Sequence, residues 1–377
     1  MLYFAGIIIT FFLAFILISK KDKSEADKIL GAWLILIGLH LITFYLHTSN
    51  KYLQFPYLLG FELPLPLIHG PFLYLYCASL TKQHYKKGLR FLHFLPFVLG
   101  YLPFTKFFLL PVAHKISVYQ NNGAGYAETL LVMYVLISIS GIAYILLSLQ
   151  LLNRHKKNIV NQFSYTEKIN LTWLRYLVLG LIVIWFAVIF GNDVSVFTSV
   201  VLFIIFIGYF GIKQMGIFTH TAPSIGDLEE AESDKIVAPT PLDGITIEKY
   251  TKSGLDNDTA NKIHQQLTGV MQSLGLYKNP ELSLGKLSQE LSVPPNQLSQ
   301  VINSKEQKSF YDYINHLRVD AFKQLVAQPE NQKFTLLALA YECGFNSKAS
   351  FNRNFKKVTG LSPTEYLKSI NIMLTEK

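Results

Sequence analysis

Residues 336–355 read LLALAYECGFNSKASFNRNF, and the rest of the chain is understood from this stretch outward. Leu336, Leu337 and Ala340 share one helical face, and Gly344 follows as the residue type that enters the left-handed region at a helix end without a Cβ penalty. Asn346 and Ser347 are both competent to cap a second helix, which Phe351 and Phe355, four apart, pin against the first. Ala340 and Gly344 place small residues where the two helices are expected to cross. The other face of the second helix carries Lys348, Ser350, Asn352, Arg353 and Lys356, donors suited to phosphates and base edges in a major groove. An ordinary helical hairpin with a solvated polar face has the same local pattern, so the flanks must decide.

A similar unit lies upstream. Residues 284–303, LGKLSQELSVPPNQLSQVIN, set Leu284, Leu287 and Leu291 on one face, then a Ser-Val-Pro-Pro turn, then a polar segment from Asn296 to Asn303. Between the two units, Phe310, Tyr313, Ile314, Leu317, Ala321 and Leu325 keep helical spacing without a break. The spacing predicts a linker helix over 310–326, about 25 Å long at the usual rise per residue. Such a spacer suits two recognition helices that enter successive major grooves on one side of DNA.

At this point the residues resemble the DNA-binding domain of the AraC family of bacterial transcription regulators. The resemblance is carried by Ala340-Tyr341-Glu342-Cys343-Gly344-Phe345-Asn346-Ser347, by Phe351-Asn352-Arg353-Asn354-Phe355-Lys356-Lys357, and by Gly360-Leu361-Ser362-Pro363 with Tyr366. Phe310, Ile314, Arg318 and Ala321 fall where the family's linker helix has its marker residues, and the likeness covers about 250–367. The chain departs from the family where Ala and often Gly are usual, with Ser288 and Ser292, and 304–309 lacks the usual glycine. The resemblance implies base reading by Asn296, Ser299 and Gln300 in the first unit and by Lys348, Ser350 and Arg353 in the second. Asn and Gln suit adenine, Arg and Lys suit guanine, and Ser suits either. Lys305, Lys308, Lys356 and Lys357 are expected to hold phosphate, which sets register and carries no sequence information. Residues 262–377 hold 14 Lys and Arg against 9 Asp and Glu, a net +5 that favours phosphate contact.

The remaining two thirds of the chain have another character. Of 377 residues half are hydrophobic, and mean hydropathy is +0.29, too apolar for an ordinary soluble protein. Seven apolar runs, at 2–19, 29–46, 57–80, 91–112, 129–152, 174–190 and 194–212, are read as membrane spans. The fourth is interrupted by Pro96, Pro103 and Lys106, and Pro64, Pro66, Gly70 and Pro71 are expected to kink the third. The fold class expected is therefore all-α, a seven-helix transmembrane bundle followed by a cytoplasmic two-unit helix-turn-helix domain. Its boundaries are 1–213 for the bundle, 214–249 for an acidic flexible linker and 250–377 for the DNA-binding domain. The linker composition is carried, over 219–244, by Asp227, Glu229, Glu230, Glu232, Asp234 and Asp243 against the single base Lys235. A helix is expected over 258–274, ahead of the first helix-turn-helix unit.

Basic residues orient the bundle. Lys20, Lys21, Lys23 and Lys28, then Lys82, Lys86, Lys87 and Arg90, then Arg154, Lys156, Lys157 and Lys168 lie in the odd connections, whereas the even ones hold only Lys51 and Lys115, and Gly191-Asn192-Asp193 has no base. Lysine and arginine gather on the cytoplasmic side, so the expected location is the inner membrane with the N-terminus outside and the C-terminal domain in the cytoplasm. The first run has no basic region ahead of it and no small-residue cleavage site, and is expected to be a retained helix.

Within the bundle Glu62, His69 and Asp193 are the candidate ligand-sensing residues, because an ionisable side chain in a span is a functional-site hypothesis. Six histidines between His40 and His114 show no metal spacing, and Cys77 and Cys343 are expected to be buried hydrophobes with no disulfide. No glycine-rich phosphate loop, nucleophile elbow, zinc-protease or kinase motif occurs. No enzyme, cofactor or metal is expected. The reading is a membrane-anchored one-component transcription regulator controlled by its membrane domain; the alternative is a seven-span transporter or receptor with a regulatory DNA-binding tail. Expected partners are double-stranded DNA, membrane lipid and RNA polymerase, with a homodimer and an unidentified small-molecule or envelope signal as further candidates.

Overall fold

A computed structural model of the chain describes residues 2–81, 87–166, 169, 171–213, 255–372 and 374. Among these the fold is all-α, with no β-strand and an isolated bridge between Phe163 and Ser283. The chain divides into two units, Met1–Arg154 with Leu171–Lys235, and His155–Asn170 with Ile236–Lys377. This differs from the expected boundaries in that 155–170 counts with the second unit. The acidic linker over 214–249 and the loop bases Lys82, Lys86 and Lys168 lie outside the described residues.

In the first unit, five segments are long and apolar enough to cross a membrane: Glu25–Thr48, Gly88–Phe108, Ala127–Gln162, Thr172–Phe190 and Asp193–Phe210. Phe4–Ser19 is a shorter apolar helix. The third expected run is helical only over Pro66–Leu80, 15 residues, after 3-10 turns at Lys51–Gln54 and Pro56–Leu58. Pro64 and Pro66 explain the late start, because proline lacks the N–H that a preceding helical turn would need as a donor, so Pro66 stands in the first turn, where that N–H has no intrahelical partner. The fourth run is broken for the same reason into Lys87–Phe94, Leu95–Leu99, Leu102–Phe104 and Thr105–Phe108.

Trp33, Leu34, Leu73, Tyr76, Leu174 and Ile204 fill the centre of this unit. Its outward positions are apolar too: Phe15, Leu131, Ile139 and Leu146 are each more than 60% exposed. In water such a surface would be a standing liability, whereas in hydrocarbon it costs nothing. Ser24 and Asp27 form a reciprocal cap at the start of Glu25–Thr48, and the buried Asp27 carboxylate pairs with Lys20 at 2.7 Å. Arg90 pairs with Glu25.

The second unit is built on the linker helix Phe310–Val326, which runs over the residues its periodicity predicts. Its first half, with Phe310, Tyr313 and Ile314, completes a core with Ile263, Leu267, Leu287, Leu298 and Val301. Its second half, with Val319, Phe322 and Val326, completes another with Leu339, Ala340, Phe351 and Phe355. One helix therefore serves two hydrophobic cores, each belonging to one helix-turn-helix unit. The leading helix spans Asn257–Ser273, with Asp256 accepting from the N–H of Asp258 and of Thr259. These bonds hold the Asp256 carboxyl below its usual range, the Thr259 N–H most of all.

Candidate nucleic-acid interface

The second helix-turn-helix unit comprises Leu336–Glu342 and Lys348–Thr359. Ser347, not Asn346, is the cap, accepting from the Ser350 N–H at 3.1 Å. Phe351 and Phe355 are fully buried with ring centroids 5.5 Å apart, as their spacing demands. Gly344 adopts φ +95°, but its close neighbour is not the facing helix: a Cβ there would stand 2.7 Å from the carbonyl oxygens of Tyr277 and Lys278. The crossing is closed instead by Ala340 and Cys343, both fully buried. Burial pushes the Cys343 thiol up to about 12.

Lys348, Asn352, Arg353 and Lys356 are exposed on the outer face of Lys348–Thr359. Ser350 is not: it is 3% exposed, and its carbonyl and hydroxyl oxygens accept from Asn354 Nδ2. The expectation that Ser350 reads a base is therefore corrected. Helical position alone does not give this, since Ser350 and Asn352 each lie about 100° from Phe351 on opposite sides; Ser350 falls on the side of Asn354, which donates to the Tyr311 hydroxyl of the linker helix. Asn352 is the exposed amide left out of the expected reading set. Arg353 is turned inward at its tip, its Nη2 donating to the Tyr311 hydroxyl at 2.8 Å. Tyr311 also accepts from Asn354 at 2.8 Å. Lys357 is engaged too, pairing with Asp312 at 2.6 Å.

In the first helix-turn-helix unit Leu284–Leu291 is followed by Pro295–Val301, then by a π turn at Ile302–Glu306. Asn296 is exposed in the first turn of Pro295–Val301, while Ser299 and Gln300 are half-buried. Lys305 donates to Asn261 at 2.6 Å, and its neighbour Glu306 pairs with His264 at 2.7 Å, so both bind the π turn to the leading helix. Lys308 is half-buried on the approach to the linker helix, and Lys356 is exposed. Two residues of this unit that are not glycine are held in the left-handed region, Ser292 and Gln307, both at φ +53°.

The first unit brings its candidate residues together. Glu62, His69 and Asp193 line one cavity of about 440 Å³ with Trp33, His40 and Phe197. Glu62, Asp193 and His40 also line an adjoining cavity of about 310 Å³. Trp33 Nε1 donates to His69 Nδ1 at 3.1 Å, and His69 Nε2 lies 2.9 Å from His40 Nδ1. An indole N–H only donates, so a neutral His69 carries its proton on Nε2 and passes a hydrogen bond to His40, whose own proton is then on Nε2. Glu62 accepts from the Tyr119 hydroxyl and from the Gly60 N–H. The sequence scatters these residues, and among the described residues no group of three or more His, Cys, Asp or Glu is placed to hold a metal ion.

Residues 287–369 match a family model described as a helix-turn-helix domain. Among curated relatives, an uncharacterized HTH-type transcriptional regulator YijO of Escherichia coli is 31% identical over 96 residues, 26% of this chain and 33% of that protein. A probable transcriptional regulator LumQ of Photobacterium leiognathi is 34% identical over 86 residues, 23% and 34% of the two chains. An HTH-type transcriptional regulator Rv1931c of Mycobacterium tuberculosis is 27% identical over 86 residues, 23% and 32%. The chain spans about a third of the length of these relatives. No solved structure matches. The chain thus carries a helix-turn-helix domain similar to those of transcriptional regulators.

Proposed function

We propose that the protein is a membrane-anchored one-component transcription regulator, not an enzyme. Its second unit binds duplex DNA sequence-specifically through two helix-turn-helix units. Lys348, Asn352 and Arg353 read bases in the second and Asn296, Ser299 and Gln300 in the first, with Lys305, Lys308, Lys356 and Lys357 on phosphate. The observation that carries this reading is one linker helix shared by two cores, in a segment similar to named transcriptional regulators. The apolar outward faces of the first unit support a place in the cytoplasmic membrane, and the loop bases support an outer N-terminus. The cavity lined by Glu62, His69 and Asp193 is the place for a small-molecule signal. Two tethered copies would raise each other's effective concentration on DNA without new contacts, which favours a homodimer, and transcriptional output would then pass through RNA polymerase.

Membranes bearing the full chain should pull down a duplex enriched from a random-sequence pool, with recovery falling steeply as salt rises. A reporter enzyme fused after Lys213 should work only in its cytoplasmic form, and one inserted near Asn122 only in its exported form. Membranes that retain no duplex at low salt, or reporters with the opposite pattern, would sink this reading. The cavity also favours a second reading, a transporter with a regulatory tail, which ion-coupled uptake by vesicles bearing the full chain would establish.

A further inference from the structure

The second unit includes a segment that comes from far upstream. Residues 163–166 lie against the linker helix and the turn before Leu284–Leu291. Ser164 is 1% exposed and Phe163 6%. The Ser164 N–H donates to the Leu282 carbonyl at 3.1 Å and its hydroxyl donates to the same oxygen at 2.7 Å. In return Ser164 O accepts from Asn315 Nδ2 at 3.0 Å and from Arg318 Nη1 at 3.2 Å, while Ser164 Oγ accepts from Arg318 Nη2 at 3.0 Å. Arg318 is 2% exposed, and it also donates to the carbonyls of Tyr277 and Asn279, each at 2.7 Å. Two residues on, Thr166 Oγ1 accepts from Arg353 Nη2 at 3.4 Å.

Arg353 is the guanidinium expected to reach a base edge, and here its tip is directed at Tyr311 and Thr166. A guanidinium serves a guanine through two parallel N–H donors, so the same nitrogen cannot serve both arrangements at once. We propose that residues 163–166 are an internal competitor of DNA, a strap that seats on the linker helix through Ser164 and holds Arg353 off the duplex until it leaves. The strap is the connection between the apolar helices Ala127–Gln162 and Thr172–Phe190, so a signal that moves either helix is covalently linked to it. Duplex DNA and the strap are then alternative partners of the same face, and each weakens the other's hold by the same factor.

This inference rests on the reading of the second unit as DNA-binding, and hydrogen exchange of the full chain in lipid nanodiscs separates the two. The probe is the duplex that the full chain enriches from a random-sequence pool at low salt. In the free chain, amides of 160–166 should exchange slowly, because Ser164 N–H is bonded and buried; with saturating duplex they should exchange roughly tenfold faster or more. Ser164→Ala removes the hydroxyl from both its bonds and should raise affinity for that duplex by roughly three- to tenfold, and Arg353→Ala in the same chain should abolish the gain. Protection of 160–166 that persists in the DNA complex overturns the competition, whatever the fate of the variant. So does a Ser164→Ala chain that keeps its melting transition and binds the duplex no better. A chain that enriches no duplex overturns the DNA-binding reading and this inference with it.

Discussion

Gly344 and Tyr277 approach so closely that a Cβ on Gly344 would stand 2.7 Å from the Tyr277 carbonyl oxygen, and the Gly344 backbone is at φ +95°. Both the conformation and the space exclude a side chain. Gly344→Ala is therefore expected to destabilise the second unit by roughly 2–4 kcal/mol, the sum of a left-handed backbone and a backbone clash. The measurement is the urea midpoint of the full chain, followed by labelling of Cys343 in a Cys77→Ala background. An unchanged midpoint would show that the turn at 277–278 yields easily.

Ser288 is 3% exposed, and its hydroxyl has no hydrogen-bond partner among the described residues. Ser288→Ala removes an unsatisfied buried group and is expected to stabilise by about 1 kcal/mol. Ser292→Gly and Gln307→Gly relieve positive φ and should each add up to about 1 kcal/mol, less the entropy that glycine brings to the unfolded chain. Additive midpoint gains in the triple variant would support independent local causes; a loss at either glycine position would mean that its side chain holds the turn.

On selected duplexes, Arg353→Ala should relax preference at one base position at a cost of roughly 1–3 kcal/mol, and Asn352→Ala should do so at a neighbouring position. Lys357→Ala should weaken all sequences alike and flatten the salt slope. Ser350→Ala should change the midpoint and leave the sequence profile as it was, because Ser350 faces Asn354 inside the unit. A Ser350→Ala profile altered at one base would restore it to the reading face.

Burial holds the Cys343 thiol near 12 in the folded unit, against about 8.5 in an unfolded chain. For an acid raised on folding, the contribution to stability is whole below the unfolded value and is lost as pH rises toward the folded one. The midpoint should therefore fall from pH 8 upward, and Cys343→Ala should reduce that slope. Between pH 7 and 8 the folded thiol should react with alkylating agents only as fast as the unit opens. Rapid alkylation at pH 7.5 under native conditions would contradict the burial.

Local pattern was enough for much of this molecule. The linker helix is where the spacing from Phe310 to Leu325 puts it, and the second recognition helix is capped at one of the two residues named for it, because 3.6-residue periodicity and capping act over a single turn. The all-α class followed from the same signals. The late start of Pro66–Leu80 was encoded too, in the missing N–H groups of Pro64 and Pro66, but a hydropathy window averages over such breaks. Ser350 shows the limit of carrying positions across a resemblance, since Ser350 and Asn352 flank Phe351 alike and the approach of the linker helix through Tyr311 and Asn354 decides which of them is buried. What only the tertiary structure decided are partnerships between distant residues. Gly344 meets Tyr277, Lys357 meets Asp312, His40 meets His69, and Ser164 meets Arg318. None of these has a period to read, because each depends on how the chain reverses between one helix and the next, and packing settles that only when whole cores close.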